Sequence, residues 1–280
     1  MRKIKIVTDS TIDVSDEVLQ KYGIEMVPLM ITIEGKSFLD RIDISPSEFL
    51  NKMKQAAQLP KSSQPSTGQF VELYDRLDEE GYDVISIHMT GGMSGTVASA
   101  ETAAEISKAN VTVVDSRFLS KALSFQVLEA AKMASDGKSV DDIVNRLTEI
   151  RNNSFLYLTV DTLENLVKGG RIGKGKAFIG SLLNIKPISS LEGGSITPVG
   201  KVRSQSQIVK YLTKQFAKDV EGKVIKAVGI AHADARDLAG KLKEAISHAS
   251  GYEEIEIVDT TPVISLHTGA GAMSIMYFAE

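Results

Sequence analysis

The sequence predicts an α/β fold of two domains: a parallel-sheet N-terminal domain with helices on both faces, followed by a mixed α+β C-terminal domain. Three observations carry this. Short apolar runs alternate with amphipathic helical stretches through the first half, the pattern of a parallel sheet wrapped by helices. Around Asn153 the alternation gives way to shorter extended runs, a glycine-rich loop and a hairpin signal. A chain of 280 residues also reaches the size at which single cores stop growing. The expected domains are residues 1–153 and 154–280.

The first strand is expected at Ile4-Lys5-Ile6-Val7, followed by a helix over Val14–Tyr22 and a second strand over Met26–Ile31. Ser45-Pro46-Ser47-Glu48 supplies an N-cap, a proline at the first helical position and a glutamate three residues after the cap, so the segment to Gln58 reads as helix. Leu59-Pro60 breaks the chain there. A helix over Thr67–Glu80, a buried strand over Val84–Ile87, a helix over Gly95–Ser107 and a strand over Val111–Val114 follow. Helices over Phe118–Ser135 and Val140–Asn152 close the first half.

The second half opens with a strand over Phe155–Val160 and a short helix capped by Asp161, with Glu164 three residues on. Gly169–Gly175 reads as a loop. Two extended runs, Pro187–Leu191 and Ile196–Val199, flank Glu192-Gly193-Gly194-Ser195 and predict a hairpin. A helix over 204–220, a strand over 224–231, a helix over 234–249 and a strand over 254–258 complete the pattern.

Composition excludes several functions. A net charge of -4, with basic residues dispersed, gives no footprint for nucleic acid. The absence of cysteine removes disulfides, thiolate metal sites and thiol nucleophiles. No apolar run precedes Ile4 as a leader or is long enough to span a bilayer, so a cytoplasmic, soluble chain is expected, with a monomer as the default.

Three segments rich in hydroxyl, glycine and histidine residues carry the chemistry: Ser62-Ser63-Gln64-Pro65-Ser66, Gly92-Met93-Ser94-Gly95-Thr96 and His267-Thr268-Gly269. They offer neutral hydrogen-bond donors and one imidazole without paired carboxylates, which is equipment for holding an anion. Ser94 falls between a buried strand and a helix start. There the N–H groups of Gly95 and Thr96 would favour a carboxylate, although Ser94 reads equally as a plain helix cap and 62–66 as a plain loop.

Three catalytic or cofactor patterns come close and miss. Gly170-Arg171-Ile172-Gly173-Lys174-Gly175-Lys176-Ala177 approaches the phosphate loop, but Ala177 lacks the magnesium-holding hydroxyl and no strand precedes it. Gly92-Met93-Ser94-Gly95-Thr96 begins as a nucleophile elbow and ends in threonine. An esterase using Ser94 with His267 as base stays open at this level, with no acid placed to orient the histidine. His88, His232, His248 and His267 show no metal-ligand spacing, and no cofactor is indicated.

Taken together with Thr8-Asp9-Ser10, Val114-Asp115-Ser116, Gly169-Gly170-Arg171-Ile172 and Asn184-Ile185-Lys186-Pro187, the three segments resemble the DegV family in order and spacing. The resemblance runs from end to end. Its most specific part is the stretch from Asp161-Thr162-Leu163-Glu164-Asn165-Leu166 to Asn184-Ile185-Lys186-Pro187. It implies a bacterial fatty-acid-binding protein that holds a long-chain acid such as palmitate or oleate, with the carboxylate at the domain junction.

Carried over position by position, the implied carboxylate ligands are Ser62, Ser94 and His267, with Ser63, Gly95 and Thr96 as further ligand-binding candidates. The family often has threonine at position 62 and another at 61, where this chain has serine and lysine. Serine keeps the donor, and Ser63 could share its role. The resemblance also implies a separate ATP-binding kinase subunit that converts the bound acid to an acyl phosphate. Arg171 and Arg203, with Lys174 and Lys201, are the residues expected to face that partner or the phosphate. Ile179, Leu182, Leu183, Ile185 and Ile188 are attractive as tail contacts, but apolar residues so spaced read more readily as core.

Overall fold

The computed structural model describes residues 2–174 and 185–280. Its first half comprises β1 (Lys3–Asp9), α1 (Asp16–Tyr22), β2 (Glu25–Val27), β3 (Met30–Ile33), β4 (Lys36–Leu39), α2 (Pro46–Gln55), β5 (Lys61–Ser63), α3 (Thr67–Glu79), β6 (Tyr82–His88), α4 (Thr96–Ile106), β7 (Val111–Asp115), α5 (Ser120–Ser135) and α6 (Val140–Asn152). The strands β2-β1-β6-β7 form a parallel sheet in that order. Helices cover both faces, as the alternation predicts. Ile6, Ile85, Ile87 and Val114 pack with Leu123, Val127, Ile143 and Leu147 of α5 and α6 on one side. Val7 and Val84 pack with Phe70, Tyr74, Ala100 and Ala103 of α3 and α4 on the other.

The strand expected over Met26–Ile31 is two strands in different sheets. Pro28, which cannot donate to a ladder, separates β2 from β3, and β3 joins a small antiparallel sheet of order β4-β3-β5. Leu29 fastens the crossing: its N–H donates to Ser10 Oγ at 3.0 Å, and its carbonyl accepts from Asp40 N–H at 2.9 Å.

The second half holds β8 (Ser154–Thr159), α7 (Glu164–Lys168), β9 (Lys186–Glu192), β10 (Ser195–Val202), α8 (Gln205–Asp219), β11 (Ile225–Ala233), α9 (Arg236–Ser250), β12 (Ile255–Asp259), α10 (Pro262–Thr268) and β13 (Ala272–Ala279). Its six-stranded sheet has the order β10-β9-β8-β13-β11-β12, antiparallel except for β11 with β12. The predicted hairpin is β9–β10, turned by Gly193 and Gly194 at φ 57° and 80°, the left-handed pair that a two-residue turn requires. Asp161 does not cap α7. That helix starts after Leu163 without a side-chain cap, and Asp161 accepts instead from Lys186 Nζ at 2.5 Å.

The α8 and α9 helices cover one face of this sheet through Ile208, Leu212, Phe216 and Leu242. The opposite face meets α5 and the residues just before it: Ala122 and Phe118 pack with Leu156, Leu158, Ala231 and Met276. Thus α5 lies between the two large sheets, with Leu123 and Val127 on one and Ala122 on the other. Among the described residues no helix is long and apolar enough to cross a membrane.

Candidate functional site

A cavity with about 890 Å³ of empty space, counting its open mouth, lies between the C-terminal sheet and the N-terminal loops. One wall is Leu156, Leu158, Leu166, Leu191 and Ile196; the other is Leu29, Met89, Met93, Leu119, Val263 and Ile264. Ser62, Ser94 and His267, the three residues assigned by resemblance, all reach it.

Each arrives on a different element. Ser62 is the middle residue of β5 and pairs with Ile31 of β3, so strand alternation turns it inward. Ser63, one step along, is exposed and does not line the cavity. His267 stands in the last turn of α10, and its Nε2 lies 2.8 Å from Ser62 Oγ. Ser94 sits in the loop before α4. Its Oγ is 2.8 Å from Thr96 Oγ1 and accepts the Thr96 N–H at 3.3 Å, so it serves the helix start and the cavity wall together. That N–H is therefore not free in the way the sequence leads one to expect. Thr96 is fully buried, and neither it nor Gly95 lines the cavity.

Burial, aided by the nearby Arg171 guanidinium, pushes His267 down to about 4, so its ring is neutral at pH 7. Its Nδ1 is buried without a hydrogen-bond partner and lies against Gly169, where any Cβ would collide with it. The first glycine of Gly169-Gly170-Arg171-Ile172 thus makes room for the imidazole, and the second supplies φ 73°.

Arg171 also lines the cavity. Its Nε donates to Met93 O at 3.1 Å and its Nη1 to Gly169 O at 2.7 Å, which ties the Ser94 loop to the glycine turn. Arg203 is exposed and off the cavity wall, as are Lys174 and Lys201. Ile188 belongs to the core beneath α8, and neither it nor Ile185 lines the cavity. Ile179, Leu182 and Leu183 lie outside the described residues, as do Gly175, Lys176 and Ala177 of the near-phosphate loop. Among the described residues no cluster of histidine and carboxylate side chains could hold a metal.

The arrangement does not favour a hydrolase built on Ser94 and His267. Ser94 bonds to Thr96, His267 bonds to Ser62, and among the described residues no carboxylate meets His267 Nδ1. A Ser–His–Asp chain does occur elsewhere: Ser86 Oγ is 2.7 Å from His88 Nε2, and His88 Nδ1 is 3.2 Å from Asp9 Oδ2. All three are fully buried in the N-terminal sheet, with Tyr74 OH donating to Ser86 Oγ.

Sequence reasoning missed Thr11, Met89 and Leu119 on the cavity wall, which are unremarkable residues until two sheets bring them together. It also stopped short of α10 and β13. A helix of seven residues is too short for a periodic signal, and β13, buried along nearly its whole length, shows no alternation.

A family model described as "Uncharacterised protein, DegV family" matches residues 3–280. The chain is 42% identical to a DegV domain-containing protein of Listeria monocytogenes, covering 100% of both. It is 40% identical to one of Staphylococcus aureus, covering 99% of both. Among solved structures it is similar to a fatty-acid-binding DegV family protein from Thermus thermophilus, with a TM-score of 0.94 and 33% identity over 100% of both chains. It is also similar to DegV, a fatty acid binding protein from Bacillus subtilis, with a TM-score of 0.89 and 32% identity over 99% of this chain and 100% of that one. This chain belongs to the DegV family.

Proposed function

We propose that this protein binds a long-chain fatty acid, with the acyl chain in the cavity and the carboxylate held by Ser62, Ser94 and His267. The observation that carries the reading is that the Ser62–His267 pair and Ser94 line one mostly apolar cavity. Two hydroxyls and a neutral imidazole can each donate to a carboxylate, and Arg171 adds a positive charge nearby. Each buried methylene contributes about 0.8 kcal/mol, so roughly a dozen supply on the order of 10 kcal/mol before ordering costs. The tail provides affinity and the head provides orientation. The solved relatives described as fatty-acid-binding support the same assignment.

Residues 1–153 and 154–280 act in this reading as two domains that close on the lipid at their junction. The carboxylate is presented to a separate ATP-dependent kinase subunit: a carboxylate oxygen bonds to the γ-phosphorus of ATP, ADP leaves, and an acyl phosphate results. Arg203 is the cleaner probe of that partnership, because Arg171 also belongs to the cavity wall. Arg203→Glu is expected to abolish coupled acyl phosphate formation while fatty acid binding persists, and unchanged turnover removes the docking role. The binding reading itself is tested by mass spectrometry of an organic extract of the purified protein. A long-chain acid is expected; an empty protein that also takes up no added palmitate or oleate defeats it.

A further inference from the structure

Asp13 and Asp40 are buried, at 4% and 0% exposure, and the proposed carboxylate clamp does not use them. Asp13 follows β1 and Asp40 follows β4, yet both reach α10. Asp13 Oδ1 accepts the N–H of Thr261 at 3.0 Å, and its Oδ2 accepts from Thr260 Oγ1 at 2.8 Å and from Ser120 Oγ. Asp40 Oδ1 accepts the N–H of Val263 at 3.0 Å, and its Oδ2 accepts from Ser10 Oγ at 2.6 Å.

A helix start leaves N–H groups that need partners. Pro262 removes one of them in α10, and Thr261 at the N-cap makes no side-chain capping bond. Elsewhere α1, α2, α3, α6 and α8 are capped by the serine immediately before them. Only long-range carboxylates, 248 and 223 residues away in sequence, serve the first turn of α10 in this way among the described residues. Its last turn carries His267 to Ser62. Both ends of the helix are therefore held by the N-terminal half of the chain, and one stiff turn, about 6 Å long, separates Val263 from His267.

We propose that Asp13 and Asp40 are positioning residues for the carboxylate clamp: by capping α10 from the opposite half, they set the height and rotation at which His267 meets Ser62. The arrangement carries a cost. Burial pushes Asp40 up to about 7 against the hydrogen bonds from Ser10 and Val263, and burial raises Asp13 despite its three donors. Carboxylates held under such strain serve geometry better than they serve stability.

The inference rests on the fatty-acid reading for its binding readout, and a second readout is independent of ligand. Asp40→Ala is compared with the natural protein by the 15N signal of His267 Nε2 in ligand-free protein and by palmitate affinity. The ring signal is expected to move toward that of an unbonded imidazole, and affinity is expected to fall about tenfold or more, equivalent to about 1.4 kcal/mol. Asp40→Asn, which keeps an acceptor for Val263 N–H, should restore both. A merely structural role would lower Tm and leave the ring signal in place. A folded Asp40→Ala protein in which either readout is unchanged overturns the proposal. Should that variant not fold, Asp13→Ala with Asp40 intact carries the same test and the same overturning result. If the natural protein takes up no palmitate, the fatty-acid reading fails and the ring signal alone decides the positioning role.

Discussion

Two serine–histidine pairs lie in this chain in opposite surroundings. Ser62–His267 faces a cavity and has no acid behind its imidazole, whereas Ser86–His88 has Asp9 behind it and no access to solvent. A carboxylate on Nδ1 fixes the tautomer of a ring, while burial without one holds His267 neutral. Acyl hydrolysis needs the acid and the access in one place. Here they are separated by design of the fold: one pair can donate hydrogen bonds to a ligand, and the other ties strands together.

The largest expected effect lies on the sealed pair. Although burial opposes its charge, hydrogen bonds from His88, Thr11 and the Met89 N–H hold Asp9 below the usual carboxylate range. Asp9→Ala strands all three donors, the buried His88 among them. It is expected to cost about 3–5 kcal/mol, measured by urea unfolding. A loss under about 1 kcal/mol would mean that the network is not the structural member of the comparison.

The two pairs also differ in how far the sequence reveals them. The N-terminal sheet follows from apolar runs alternating with helical stretches, and α6 spans Val140–Asn152 as expected, with Ser139 as its cap. The open pair is spread over 205 residues and surfaces only as hydroxyl-rich segments, given roles by family resemblance. Reading residues alone leaves Ser94 as ligand or cap, and the structure places it on the cavity wall with its Oγ accepting the first N–H of α4. Ser62 and Ser63 are indistinguishable in sequence because β5 is three polar residues long and becomes a strand only by pairing with β3. The caps of α10 leave no local mark, since their donors and acceptors are more than 200 residues apart.

Strand alternation therefore makes a sharper prediction than the segment does. Ser62→Ala removes a donor at the cavity and leaves His267 Nε2 without its partner. Fatty acid affinity is expected to fall about tenfold, equivalent to about 1.4 kcal/mol, in a displacement titration. Ser63→Ala, on the exposed side of β5, should change it less than twofold. Equal losses would place both hydroxyls on the ligand and the strand register in question.

The smallest effect comes from the titration of the open pair. His267 is depressed from the usual imidazole value of 6.5 to about 4, first by burial and then by Arg171. Between those two values the unfolded chain holds a proton on this ring that the folded chain lacks, so stability rises with pH through that window and levels off above about 6.5. His267→Gln removes the term. Its Tm relative to the natural protein should therefore be higher at pH 5 than at pH 8, by an amount on the order of 1 kcal/mol after allowing for solvent screening at the cavity mouth, or about 2–4 °C. Thermal melts at the two pH values measure it. A gap that does not change with pH would mean that the ring is not held neutral by its surroundings, and the contrast between a desolvated donor and an acid-backed histidine would lose its electrostatic basis.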